Sequence, residues 1–142
     1  MSSSGSDRSR RRRVLIVDDE PLIAELISEC LSTSPEPLDV VRAGNGHAAL
    51  ESVERTRPDL VMLDINMPVL DGLETLKLLR VRHPRLPVLM ITGSDGASVA
   101  AALAAGAFGY LPKPMDLRYI RHLVSLALGT EPAHPVAVEE SR

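Results

Sequence analysis

Residues 88–96 read VLMITGSDG. Four apolar residues, Val88 to Ile91, follow Pro87 and run straight into a lone Thr92 and then a polar turn. A short apolar run bounded by turn residues reads as a strand buried on both faces. The fold is decided by the recurrence of this pattern. Val14-Leu15-Ile16-Val17 and Leu60-Val61-Met62-Leu63 have the same form, Leu38-Asp39-Val40-Val41 is a weaker version with edge-like alternation, and Phe108 to Leu111 is the fifth.

Helical spacing fills the intervals. Pro21 opens the first helix at a position that tolerates it, and Leu22, Ile23, Leu26, Ile27 and Leu31 are expected on its inner face. Gly46 to Arg57 is predicted helical with Ala49, Leu50 and Val53 inward. Leu73, Leu76, Leu79 and Leu78 supply the face of a third helix. An Ala-rich helix is expected over about 98–105, and a last one over 116–128 with Leu117, Ile120, Val124 and Ala127 inward. Five strand–helix units in a row predict an α/β fold, a parallel sheet with helices on both sides. Right-handed crossovers leave few topologies. The doubly wound, flavodoxin-like order 2-1-3-4-5 is expected, with its site at the carboxyl ends of strands 1 and 3.

What stands at those ends is chemically selective. Strand 1 ends in Asp18-Asp19-Glu20, strand 3 in Asp64, strand 4 in Thr92, and strand 5 runs toward Lys113. The edge strand 2 ends in nothing chemical. Three crowded carboxylates, Asp18, Asp19 and Asp64, repel one another unless a cation sits between them. An all-oxygen donor set suits a hard divalent ion, Mg²⁺ above all, which leaves positions for phosphate oxygens. Lys113 adds a point charge and Thr92 a hydroxyl donor. A carboxylate nucleophile, a metal and a cation are the parts of an in-line phosphoryl transfer. Asp64 is the nucleophile candidate, central and followed by the turn-forming Ile65-Asn66-Met67-Pro68.

With Val17-Asp18-Asp19-Glu20, Leu63-Asp64-Ile65-Asn66-Met67-Pro68, Asp71-Gly72, Ile91-Thr92-Gly93 and Lys113-Pro114 in this order, the chain resembles the receiver domain of two-component response regulators over about residues 12–128. The resemblance implies that Asp64 accepts a phosphoryl group from a sensor histidine kinase, from a histidine phosphotransfer protein, or from a small donor such as acetyl phosphate. It implies that Asp19, Asp64 and the Asn66 backbone carbonyl hold Mg²⁺, with Asp18 acting through water. Lys113 would contact a phosphoryl oxygen through a loop with a cis Lys113–Pro114 bond. Thr92 and Tyr110 would form a switch that reshapes the face of helix 4, strand 5 and helix 5, where a downstream target protein docks. Such a protein signals by contact; it is no enzyme in its own right, though it assists its own phosphorylation and dephosphorylation.

Each residue also has a plainer reading. Asp18 and Asp19 could cap helix 1, Thr92 could be a turn residue, Lys113 a surface lysine, and Tyr110 a core aromatic. Asp71-Gly72 reads as a turn and helix start. His47, His83, His122 and His134 lack ligand spacing and are expected on the surface, and Cys30 is expected as a small buried hydrophobe.

Composition bounds the remainder. The 142 residues make one ordinary domain, 44% hydrophobic with a net charge of −3. Three aromatics, two Tyr and one Phe, give no stacking platform for single-stranded nucleic acid, and no direct nucleic-acid binding is expected. The one cysteine excludes an internal disulfide and fits a cytoplasmic protein. No apolar run reaches the roughly 18 residues of a membrane span. MSSSGSDRSRRRR at 1–13 is Ser-rich and then Arg-rich; a disordered tail is placed at 1–11, the folded receiver at 12–128 and a flexible tail at 129–142. A single-domain, chemotaxis-type regulator is therefore expected, monomeric or weakly dimeric. The alternatives are a phosphorelay intermediate and a docking module indifferent to phosphorylation. A haloacid-dehalogenase-type enzyme would need acids at alternate positions after strand 1, and Asp18 and Asp19 are adjacent.

Overall fold

The computed structural model describes residues 11–65, 71–93, 96–113 and 116–129. The described chain runs β1 (Arg12–Val17), α1 (Pro21–Leu31), β2 (Leu38–Ala43), α2 (Gly46–Thr56), β3 (Leu60–Asp64), α3 (Gly72–Arg82), β4 (Val88–Thr92), α4 (Gly96–Ala104), β5 (Gly109–Pro112) and α5 (Leu117–Leu128). All paired strands are parallel, in the order β2-β1-β3-β4-β5, as the repeating apolar runs require.

The period of two along each strand divides the core into two layers. Val14, Ile16, Leu60, Met62, Leu89 and Ile91 face α1 and α5, against Ala24, Ile27, Leu31, Ile120 and Val124. Leu15, Val17, Val61, Leu63, Val88 and Met90 face the other way, against Ala49, Val53, Leu76, Leu79 and Ala102. Every residue of β3 and β4 is buried, so the two central strands lie between helices on both sides. β2, at the edge, is half-buried along most of its length.

The structure corrects several inward assignments. Leu22 is 80% exposed and Leu26 40%, because the stripe of α1 that meets the sheet is Ala24, Ile27 and Leu31. Leu22 and Leu26 form a neighbouring i, i+4 row turned outward. Leu117 stands on the first turn of α5, one turn ahead of the stripe begun by Ile120, and stays exposed; Leu78 is also largely outward. α4 starts two residues earlier than expected, and β5 starts one residue later, leaving Phe108 exposed. His47 is exposed and His122 half-buried, as is His83, whose Nε2 lies 2.8 Å from Glu54 Oε2. His134 lies outside the described residues. Cys30 is buried, its Sγ donating to the Leu117 carbonyl at 3.5 Å.

The last two residues of the Arg run belong to the sheet. Arg12 Nη1 donates to the Leu128 carbonyl at 2.8 Å. Arg13 pairs with Asp39 at 2.9 Å and also donates to the Thr56 carbonyl, and its backbone N–H donates to the Asp59 carboxylate at 2.7 Å. Their charges tie β1 to its neighbours. At the other end of the sheet, β3 and β4 end in Asp64 and Thr92, while Asp18 and Lys113 directly follow β1 and β5.

Candidate functional site

Parallel register brings the acids together. Val17 pairs with Leu63 and Asp64 with Ile91, so the residues just past β1 and at the end of β3 stand side by side. Asp64 and Thr92 are buried as the last residues of their strands, and Asp18 is buried one residue beyond its own. Asp19, the next residue, is exposed. One carboxylate oxygen from each of Asp18, Asp19 and Asp64 lies within 4.8 Å of the others.

Asp18 shows what burial at this site costs. Its Oδ1 accepts the Glu20 backbone N–H at 2.8 Å, while its Oδ2 is buried without a hydrogen-bond partner among the described residues. Burial pushes its pKa up to about 6; the Glu20 N–H opposes that rise, and the Asp64 charge adds to it. A buried, orphaned carboxylate oxygen beside two further carboxylates is the donor set a hard divalent cation satisfies, so the residues fit Mg²⁺. The capping alternative fares worse. Glu20, not an aspartate, occupies the N-cap of α1, and its side chain makes no capping bond.

Lys113 closes the site from the far side. β5 lies beside β4, Thr92 is in register with Pro112, and the Lys113 N–H donates to the Thr92 carbonyl at 2.9 Å. Its Nζ stands 3.8 Å from Asp64 Oδ1 and 3.6 Å from Glu20 Oε1. Thus Asp18, Asp19, Asp64, Thr92 and Lys113 converge from four segments. Tyr110 is set apart on β5, in register with Met90 and 38% exposed. Asn66 and Pro114 lie outside the described residues.

Two contributors escaped the reading of the sequence. One is Glu20 as a partner of Lys113: it stood in the quoted motif, but nothing local couples residues so distant in sequence. The other is Gly72. A Cβ there would lie 2.1 Å from the Asp64 carbonyl oxygen and 2.7 Å from the Ile65 Cα. Its N–H donates to the Ile65 carbonyl at 3.0 Å. The start of α3 thus rests directly on the backbone of Asp64, with Asp71 capping it by accepting the Glu74 N–H at 2.9 Å. The Asp-Gly pair was visible as a helix start; the close approach was not.

The family model for the response regulator receiver domain matches residues 14–125. A protein-glutamate methylesterase/protein-glutamine glutaminase of Nocardioides sp. is 42% identical over 108 residues, covering 74% of this chain and 30% of that protein. A probable transcriptional regulatory protein, TcrX, of Mycobacterium tuberculosis is 40% identical over 108 residues, covering 75% of this chain and 45% of that protein. The chain therefore spans less than half the length of these two relatives. Among solved structures, a putative response regulator from Chloroflexus aurantiacus superposes with a TM-score of 0.78 at 32% identity, covering 84% of this chain and 99% of that one. The Vibrio cholerae chemotaxis protein CheY4 gives 0.77 at 30% identity, covering 84% and 100%.

Proposed function

Because this chain belongs to the receiver domains of response regulators, we propose that Asp64 is its phosphoacceptor and that it signals through protein contact. The observation that carries this is the convergence of Asp18, Asp19 and Asp64 within 4.8 Å, with Lys113 Nζ 3.8 Å from Asp64. The donor is a phosphohistidine of a sensor histidine kinase or a histidine phosphotransfer protein. An Asp64 carboxylate oxygen forms a bond to phosphorus as the bond from phosphorus to the imidazole nitrogen breaks, and the imidazole leaves with the electron pair.

Asp19, Asp64 and the backbone carbonyl of Asn66 would hold Mg²⁺, with Asp18 acting through water. The ion supplies charge neutralisation for the phosphoryl oxygens. Lys113 supplies a second positive charge on the same oxygens, and Thr92 a hydroxyl donor. The burial of Asp64 keeps most water away from the nucleophile and strengthens each of these interactions.

Output follows from what is left outward. Leu103 on α4, Phe108 and Tyr110 at β5 and Tyr119 on α5 are all exposed. These exposed apolar and aromatic side chains on α4, β5 and α5 support that face as the place where a downstream target would dock. The outward Tyr110 supports its reading as the aromatic partner of a Thr92 switch.

The test is intact-protein mass after incubation with acetyl phosphate, with and without Mg²⁺, beside Asp64→Asn. One phosphoryl adduct that requires both Mg²⁺ and Asp64 is expected. Absence of an adduct, together with no binding of beryllofluoride, would reject the phosphoacceptor reading and leave a docking module.

A further inference from the structure

Lys113 is shared between two carboxylates. Its Nζ lies 3.6 Å from Glu20 Oε1 and 3.8 Å from Asp64 Oδ1, beyond hydrogen-bonding distance of either. A cation suspended between two anions moves toward whichever negative charge grows. Both residues are held at the backbone. The Lys113 N–H donates to the Thr92 carbonyl, and the Glu20 N–H donates to Asp18 Oδ1. Glu20 has no capping duty for α1, whose N-cap it occupies. Its side chain is 59% exposed, whereas that of Asp64 is almost wholly buried. Water can therefore replace Lys113 at Glu20 at little cost, and cannot do so at Asp64.

We propose that Glu20 is a positioning residue, which holds Lys113 back from Asp64 until a phosphoryl group draws it in. The inference rests on Asp64 being the phosphoacceptor. The unmodified site then keeps its lysine partly engaged elsewhere. The extra negative charge of a phosphoryl group on Asp64 takes the ammonium away from Glu20, which passes to solvent. Glu20 thereby sets how strongly the site must bind a phosphoryl group before Lys113 commits to it.

The experiment is a double-mutant cycle on the full chain with Glu20→Gln, Lys113→Ala and both together. Beryllofluoride, a phosphoryl mimic, is titrated at saturating Mg²⁺, and the initial rate of adduct formation from acetyl phosphate is measured in the same four proteins. Glu20→Gln is expected to tighten beryllofluoride binding by about two- to five-fold, the scale of an exposed ion pair. That gain disappears in the Lys113→Ala background, where the rate ratio serves if beryllofluoride binds too weakly to titrate. An equal gain in both backgrounds would mean that Glu20 acts only as general negative charge, and would overturn the proposal, as would no gain. A donor-free readout separates this outcome from failure of the phosphoacceptor reading. The Lys113 Cε–Hε NMR signals, identified by their loss in Lys113→Ala, should shift on Glu20→Gln without metal or phosphoryl donor. Unmoved signals overturn the proposal. Shifted signals in a protein that takes no phosphoryl group and no beryllofluoride would reject only the phosphoacceptor role.

Discussion

Asp18 pays for its position at the carboxyl end of β1, and the cost depends on pH. Its pKa is raised from 3.8 to about 6, chiefly by burial. Between those values the folded protein binds more protons than the unfolded chain. The stability of the metal-free protein therefore falls as pH rises from about 4 to about 6, and stays lower above that. In metal-free protein at pH 7.5, Asp18→Asn is expected to raise unfolding stability by ~1–3 kcal/mol, measured by urea denaturation. Bound at the proposed site, Mg²⁺ is expected to reverse the sign, since it favours the ionised carboxylates. Its stabilising effect should grow with pH across the same window and shrink in Asp18→Asn. A metal-free stability that rises between pH 4 and 6 in the wild-type protein, and not in Asp18→Asn, would contradict this account.

Among the elements, α3 and α4 make opposite contributions. α3 begins with its backbone against that of Asp64, and a methyl group at Gly72 cannot be accommodated without moving one or the other. Gly72→Ala is expected to cost ~2–4 kcal/mol and to slow adduct formation on Asp64, because the displaced atoms include the peptide of the proposed phosphoacceptor. Thermal unfolding and the acetyl phosphate mass assay check the two effects separately. α4 is held more lightly. Ala102 is its one buried residue, against Ala24, Ile27, Cys30 and Leu31 on α1. Alanine buries little area, and each Å² contributes only ~25 cal/mol. Backbone amides of α4 are expected to exchange with deuterium faster than those of α1. Equal protection of the two helices would refute α4 as the yielding part of the output face.

For the molecule as a whole, the decisive feature is a sheet with a separate apolar layer on each side. Ile27 on α1 and Leu76 on α3 are both fully buried, in different layers. Truncation of either to Ala is expected to cost ~2–5 kcal/mol by urea denaturation. The double variant should lose the sum to within about 0.5 kcal/mol, because the sheet separates the two cavities. Strong non-additivity would mean that the layers relax together.

Much of this architecture was legible in the chain itself. Four-residue apolar runs such as Leu60–Leu63 determine buried parallel strands, and their alternation with helical segments leaves few orders for the sheet. The placement of Asp18, Asp64, Thr92 and Lys113 at or just beyond strand ends determined that they would meet, since a parallel sheet gathers all carboxyl ends along one edge. Only the tertiary structure decided which row of α1 faces the sheet, because Leu22 and Ile27 are equally apolar and helix rotation is chosen by packing. It alone decided that Gly72 touches the backbone of Asp64, and that Lys113 lies between Glu20 and Asp64. Local sequence carries the tendency to form an element; distances between side chains on different elements arise from how those elements pack.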